Sequence, residues 1–195
     1  MHRKKLTRPQ QSLETRRVLL AVSLELFVRR GFSGTTVRGI AKAAKVSPGL
    51  MFHYFPSKDA LLQAHVKTIA DGIDSVVQQL QRAAEPLDTF RSIAHRTLTS
   101  LSEDYSRNLF LLANQVLSLE SIPPAAKRMV SRSQSIEASA SLIERGQRRG
   151  EIKKGDPQAL AIAFWGAIQG IAEILVWNPD APVPNAEQVI CILEP

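Results

Sequence analysis

Proline and glycine divide this chain into segments of helical length, and no segment carries a convincing alternation of polar and apolar residues. That pattern disfavours sheets and predicts an all-α fold. Residues 12–30 read as a helix ending at Gly31, with Arg29 and Arg30 in the last turn, where cations suit the dipole. Thr36 can cap a short second helix reaching about Ala44. Ser47 followed by Pro48 is a cap plus a proline at the first helical position, so a third short helix starts there. Ser57 caps a fourth after the Phe55-Pro56 break. In this fourth helix Leu62, Val66, Ile69, Ile73, Val76 and Leu80 recur at steps of four and three. They form one apolar stripe on a helix of roughly 24 residues, about 36 Å long. Further helices are expected at 87–105, 107–119, 124–149, 157–177 and 185–193. Pro86, Pro123-Pro124, Gly150, Gly155-Asp156-Pro157, Pro179, Pro182 and Pro184 separate them.

Charge divides the chain unevenly. The net charge is +7, yet residues 1–67 hold 13 Lys and Arg against 3 Asp and Glu, whereas the remainder holds 12 against 15. A basic module joined to a mildly acidic one implies a polyanion partner for the first and a separate task for the second. Nucleic acid is the leading polyanion and an anionic membrane surface the alternative. The single cysteine, Cys191, cannot pair within the chain, which fits a reducing compartment. Met1-His2-Arg3-Lys4-Lys5 is basic and no apolar stretch follows it, so no secretory signal peptide is read there and a cytoplasmic location is expected. Residues 159–177 reach the lower limit of a membrane span. Glu173 within that stretch, its acidic flanks and the lack of a second span favour burial in protein, in a core or a subunit interface.

Two short helices with a tight link, behind a longer one, make a helix-turn-helix, whose second short helix enters a major groove. Ile40, Ala41, Ala44, Val46 and Leu50 have the character to hold the pair together. Thr35, Thr36, Arg38, Ser47, Gly49, His53, Tyr54 and Lys58 are expected to be exposed around them. They offer hydroxyl, amide and cationic donors for phosphates, and one arginine able to reach a guanine edge.

These residues resemble the TetR family of bacterial transcription regulators. The pattern runs Leu26-Phe27, then Gly31-Phe32-x-x-Thr35-Thr36-Val37-Arg38-x-Ile40-Ala41, then Ala44-x-Val46-Ser47-x-Gly49. It closes with Phe52-His53-Tyr54-Phe55-x-Ser57-Lys58-Asp59-Ala60-Leu61-Leu62, so the match covers about residues 16–62 without a gap. A weaker echo of the family's regulatory domain follows in Ile143-x-x-Gly146-Gln147-x-x-Gly150-Glu151-Ile152 and Asp156-Pro157. The resemblance implies a helix-turn-helix domain over 1–56 and a larger helical effector-binding and dimerisation domain over 57–195. It implies that Thr36 and Arg38 contact a phosphate and a base edge. Pro48, Gly49, Leu50, His53 and Tyr54 would face the groove or flanking phosphates, Lys58 would pair with a phosphate, and Arg16 and Arg17 would reach the DNA backbone. Three positions depart from the family pattern. Phe52 stands where the family usually has tyrosine, losing one hydroxyl-to-phosphate bond while its ring can still pack on sugar. Lys45 replaces a turn glycine, and Val22-Ser23 an Ala-Ala pair.

The resemblance further implies a homodimer on a near-palindromic double-stranded operator, most often a repressor released by a small-molecule effector. The dimer contact is expected from the last two helices, through Trp165, Gly166, Gln169, Gly170, Glu173, Val189 and Ile192. The helices at 87–149 are expected to enclose the effector pocket, with Phe90, His95, Phe110, Asn114, Gln115 and Trp165 as candidate lining groups. The long helix from Ser57 is the expected lever between the two activities. No cofactor or metal is expected. An enzyme is disfavoured because His2, His53, His65 and His95 are scattered, and because H-E-x-x-H, G-x-S-x-G and a phosphate-cradling glycine loop are absent from the sequence. A sequence-blind DNA-compacting protein would have no evident use for the acidic second module. A membrane-surface protein would carry its cations on one amphipathic face rather than around a helix-turn-helix.

Overall fold

The computed structural model describes residues 7–118, 124–130 and 133–195, and among these every regular element is a helix. The basic run at 1–6, Pro123 and the expected helical residues 119, 131 and 132 lie outside the described residues. The chain forms two compact units, Met1–Val66 and Lys67–Pro195.

The first unit holds α1 (Arg8–Gly34), α2 (Val37–Ala43), α3 (Pro48–Tyr54) and the opening turns of α4 (Lys58–Arg82). α1 starts earlier than the apolar pattern indicates, because the Thr7 N–H donates to the Gln10 side chain at 2.9 Å and fixes the first turn. Its regular body ends where expected: Gly31 takes φ 71°, outside the helical range. Side-chain caps set the next three starts. Thr36 Oγ1 accepts from the Gly39 N–H at 3.0 Å, Ser47 Oγ from Leu50 at 3.1 Å and Ser57 Oγ from Ala60 at 3.0 Å.

The link between α2 and α3 is a Schellman turn. Lys45 N–H donates to the Lys42 carbonyl at 3.1 Å and Val46 N–H to the Ala41 carbonyl at 3.0 Å. Lys45 sits at the left-handed position of that turn with φ 56°, which favours glycine. The interior of the unit is Leu19, Leu24, Phe27, Ile40, Ala41, Met51, Phe55 and Leu61. Leu50, expected to help hold the helix pair together, is instead 41% exposed, and its neighbour Met51 fills the interior. On a helix as short as α3, one position of rotation exchanges which side chain is buried.

The units divide inside α4, ten residues beyond the expected boundary at 56/57. Leu61, Leu62, His65 and Val66 are buried. His65 Nε2 lies 3.0 Å from Ser23 Oγ, whose hydroxyl donates to the Leu20 carbonyl at 3.0 Å. The imidazole also stands edge-on to Phe27, with centroids 6.1 Å apart. Ser23 is therefore a buried hydrogen-bonding partner as well as a change in packing.

The second unit packs the rest of α4 with α5 (Pro86–Leu101), α6 (Asp104–Ser118), α7 (Pro124–Val130), α8 (Ser133–Arg149), α9 (Pro157–Trp177) and α10 (Ala186–Ile190). The helix expected over 124–149 is thus described as two, α7 and α8. α8 pairs with α9, and α10 lies on α5. Phe90 and Phe164 meet edge to face at 5.1 Å in the core, and Phe164 meets Trp165 at 5.2 Å. α8 also ends in a Schellman turn, here with Gly150 at φ 74°. Gln147 then holds the carbonyls of Lys153 and Gly155, and Asp156 caps α9 through the N–H groups of Gln158 and Ala159.

Replacing Lys45 by glycine should raise the unfolding free energy of the first unit by about 0.5–1 kcal/mol, because the left-handed position no longer carries a Cβ. Urea melts of the two proteins check this. Burial pushes the His65 imidazole down to about 4. Its unfolded counterpart titrates near about 6.5, so acid protonates the unfolded chain first. The stability tied to neutral His65 is complete above pH 6.5 and is lost as pH falls from there towards 4. At full extent the loss is about 3 kcal/mol. Melts at several pH values should show the wild type losing more stability across this window than His65→Met.

Candidate nucleic-acid interface and cavity

α3 has two distinct faces. Met51 and Phe55, four residues apart, point into the first unit, whereas Gly49, Leu50, Phe52 and His53 are exposed, with Phe52 at 49%. An exposed helix carrying an aromatic ring, an imidazole and a backbone bare at Gly49 offers contacts to base edges and sugars. Next to it in sequence, Ser47 and Thr36 accept their cap bonds through oxygen, which leaves each hydroxyl hydrogen to donate to a phosphate. Arg38, in the first turn of α2, is exposed and makes no ion pair among the described residues. Tyr54 is half-buried and donates its hydroxyl to Ser12 Oγ at 3.1 Å, tying α3 to α1. Arg16 lies 5.2 Å over the Phe55 ring, and Arg17 is exposed beside Glu14 at 3.7 Å. Pro48 is exposed at the head of α3.

Two of the expected contact residues have structural work. Thr35 is buried rather than exposed. Its hydroxyl lies 2.8 Å from the Gly31 carbonyl and 3.1 Å from that of Leu26, so it closes the end of α1 instead of facing solvent. Lys58 is half-buried. Its Nζ donates to the Phe32 carbonyl at 2.7 Å and the Thr35 carbonyl at 2.9 Å, and it stands 4.1 Å from the Phe32 ring centroid. Two of its three N–H groups therefore cap α1. Sequence spacing places a lysine at the head of a helix; it does not reveal which carbonyls lie within reach across 26 residues.

In the second unit, α4, α5, α6, α8 and α9 enclose a cavity of about 370 Å³. Ile69, Ile73 and Val76 of α4, Leu109 and Phe110 of α6 and Trp165 of α9 give it apolar walls. Arg96, Thr97 and Ser100 of α5, with Ser135 of α8, supply polar groups. The Trp165 indole N–H donates to buried Ser139 Oγ at 3.0 Å, which fixes the ring.

Of the expected pocket residues, Phe110 and Trp165 line this space. Phe90 lies in the core against Phe164, and His95 faces outward, exposed. Asn114 and Gln115 are half-buried outside the lining, and Asn114 Nδ2 donates to Glu173 at 3.4 Å. The apolar stripe on α4 was the available signal for three of the walls. Arg96 and the serines carry no comparable signal, because exposed arginines and serines are common on any helix.

Of the residues expected at a dimer contact, Trp165 and Val189 are buried inside the unit and cannot face a partner. Gly166 and Glu173 are exposed, while Gln169, Gly170 and Ile192 are half-buried. The Gln169 side chain donates to Glu173 at 3.1 Å. A Cβ added at Gly166 or Gly170 would meet nothing within 4 Å. α9 is long and apolar enough to cross a membrane by length and composition, and 33% of its most apolar window is buried. Its inner face carries Phe164, Ile168 and Leu175, whereas Ile162 at 56% and Trp177 at 74% are exposed.

Residues 19–65 match the family described as bacterial regulatory proteins, tetR family. The HTH-type transcriptional regulator RutR of Escherichia coli strain K12 is 28% identical over 163 residues, which cover 81% of this chain and 74% of RutR. The MbdR regulator from Azoarcus sp. CIB shares the fold with a TM-score of 0.76 at 18% identity, over 91% of this chain and 96% of that one. AibR, solved in complex with isovaleryl coenzyme A and operator DNA, gives 0.67 at 19% identity, over 91% and 94%. The matched segment is the unit whose caps, turn and two-faced third helix are set out above. Over residues 19–65 this chain thus resembles the DNA-binding segment of the TetR family, and the relatives that match it over most of its length carry the names of transcription regulators.

Proposed function

We propose that the chain is a cytoplasmic repressor that binds a near-palindromic operator as a homodimer and is released by a small-molecule effector in the cavity. The observation that carries this reading is the pairing of a helix-turn-helix whose third helix leaves Gly49, Leu50, Phe52 and His53 exposed with a helical unit that holds a cavity of about 370 Å³. Arg38 would read a base edge. Thr36, Ser47, Arg16 and Arg17 would hold phosphates, while Pro48, Gly49, Leu50, Phe52, His53 and Tyr54 would meet the groove and its flanks. Lys58 would act chiefly by fixing α1 against the head of α4.

A single short helix reads only a few base pairs, so specificity needs a second copy. The outer face of α9 supports a contact between copies: Ile162, Gly166, Gly170, Ile174 and Trp177 share it, and the two glycines leave room for close approach. AibR is a relative in fold that was crystallised with both isovaleryl coenzyme A and operator DNA, which supports the same two classes of partner here, a small molecule and DNA. Effector binding would favour a state of the dimer with weaker operator affinity, and operator would weaken effector binding by the same factor.

Selection of random duplexes by the purified protein tests this reading. The expected product is a near-palindrome with half-sites about one helical turn or a multiple apart. Recovery of no motif, with binding that vanishes as salt rises, would leave a protein that holds phosphates alone. On the selected site, Arg38→Ala should cost about 1–3 kcal/mol and relax preference at one base pair, measured by competition among single-base variants. Lys58→Ala should weaken all duplexes alike and lower the unfolding free energy by roughly 1–2 kcal/mol through its two carbonyl bonds. An unchanged melting curve would contradict the capping role.

A further inference from the structure

The effector reading leaves open what the cavity selects. Arg96 is the one charged group among the described lining residues, and no carboxylate is found with it. A cationic ligand would enter beside a like charge with no counter-charge to meet it. Arg96 is exposed at the cavity, and its partner among the described residues is the neutral side-chain oxygen of Gln79. A guanidinium has five N–H donors in a planar fork, so most remain for a ligand, including a bidentate set. Thr97 and Ser100, one and four positions along the same helix, line the cavity with it, the Ser100 hydroxyl donating to the Thr97 carbonyl at 2.7 Å. Thr68, Ser75, Ser106 and Ser135 add further hydroxyl residues, and Ile69, Ile73, Val76, Leu109, Phe110 and the fixed indole of Trp165 make up the apolar wall. The lining thus offers one cation to an anion and an apolar surface to the body of a ligand. The volume lies at the small end of the roughly 300–1,000 Å³ typical of ligand sites.

We propose that the cavity takes a small amphipathic carboxylic acid, with its carboxylate on the Arg96 guanidinium and its apolar body against Phe110 and Trp165. This rests on the reading of the cavity as an effector site. Arg96 is the specificity-determining residue: it distinguishes an acid from an alcohol or amine of the same length. A charge-assisted fork is stronger than a neutral hydrogen bond, and the partly enclosed site enhances it.

Calorimetric titration of the full chain with sodium octanoate, 1-octanol and octylammonium chloride tests the assignment. The expected order is octanoate first, by roughly tenfold or more over the alcohol, with the ammonium weakest. Arg96→Gln should bring octanoate down to the level of the alcohol and leave the alcohol unchanged. Equal or tighter binding of the alcohol or the ammonium by the wild type would overturn the proposal, and so would failure of all three to bind. An acid preference that survives in a folded Arg96→Gln protein would overturn the role of Arg96. If that variant does not fold, the comparison of the three probes on the wild type still decides the ligand class. Operator binding measured without any probe separates the two readings. A protein that binds its selected operator but shows no acid preference loses this inference alone, whereas one that selects no operator loses the regulator reading. Octanoate that weakens operator binding in the wild type and not in Arg96→Gln supports both.

Discussion

Every helix leaves N–H groups unsatisfied at its start and carbonyls unsatisfied at its end, and in this chain the treatment of those ends shapes everything else. Thr36, Ser47, Ser57, Asp156 and Asn185 satisfy starts through side-chain oxygens. Four of the C-terminal ends are closed in two ways. Schellman turns after α2 and α8 return N–H groups to the last carbonyls. Basic side chains meet carbonyls at two more: Lys58 on those that follow α1, and Arg145 and Arg149 on Ala83 and Ala84 after α4. Without these closures, short helices such as α2 and α3, seven residues each, would fray in water.

The same economy holds around α2 and α3. Groups that close helix ends there are also those proposed to meet phosphates, so scaffold and proposed contact surface share residues. Thr36 and Ser47 accept a cap bond with oxygen and keep a hydrogen to give. Lys58 illustrates the limit of this sharing, since two of its donors are already committed to carbonyls. Lys45 shows a different compromise. It carries a cation at a turn position that a glycine occupies with less strain, as Gly150 does in the corresponding turn after α8.

Much of the fold was legible in the chain because its signals are local. Caps, prolines and glycines act within three or four residues, so the starts at Val37, Pro48, Lys58 and Pro157 follow directly from the sequence. The two faces of α3 were less legible. Leu50 and Met51 are adjacent and both apolar, and the direction of the interior decided between them. The cavity was hardest to read. Phe90, Phe110 and Trp165 are equivalent as apolar residues, yet the first fills the core and the other two line the space.

The sequence by itself determined that this is an all-helical chain with a helix-turn-helix near its start, because periodicity, capping and turn chemistry are set by neighbours in the chain. Tertiary structure alone decided that Thr35 is buried and that Lys58 grips α1. It also decided that Ser23 meets His65 across 42 positions, and that Arg96 is the one charge among the described residues of the cavity wall. The Lys58 and Ser23 contacts join residues far apart along the chain. Close packing in three dimensions, rather than spacing in one, selects which of many equivalent side chains meet.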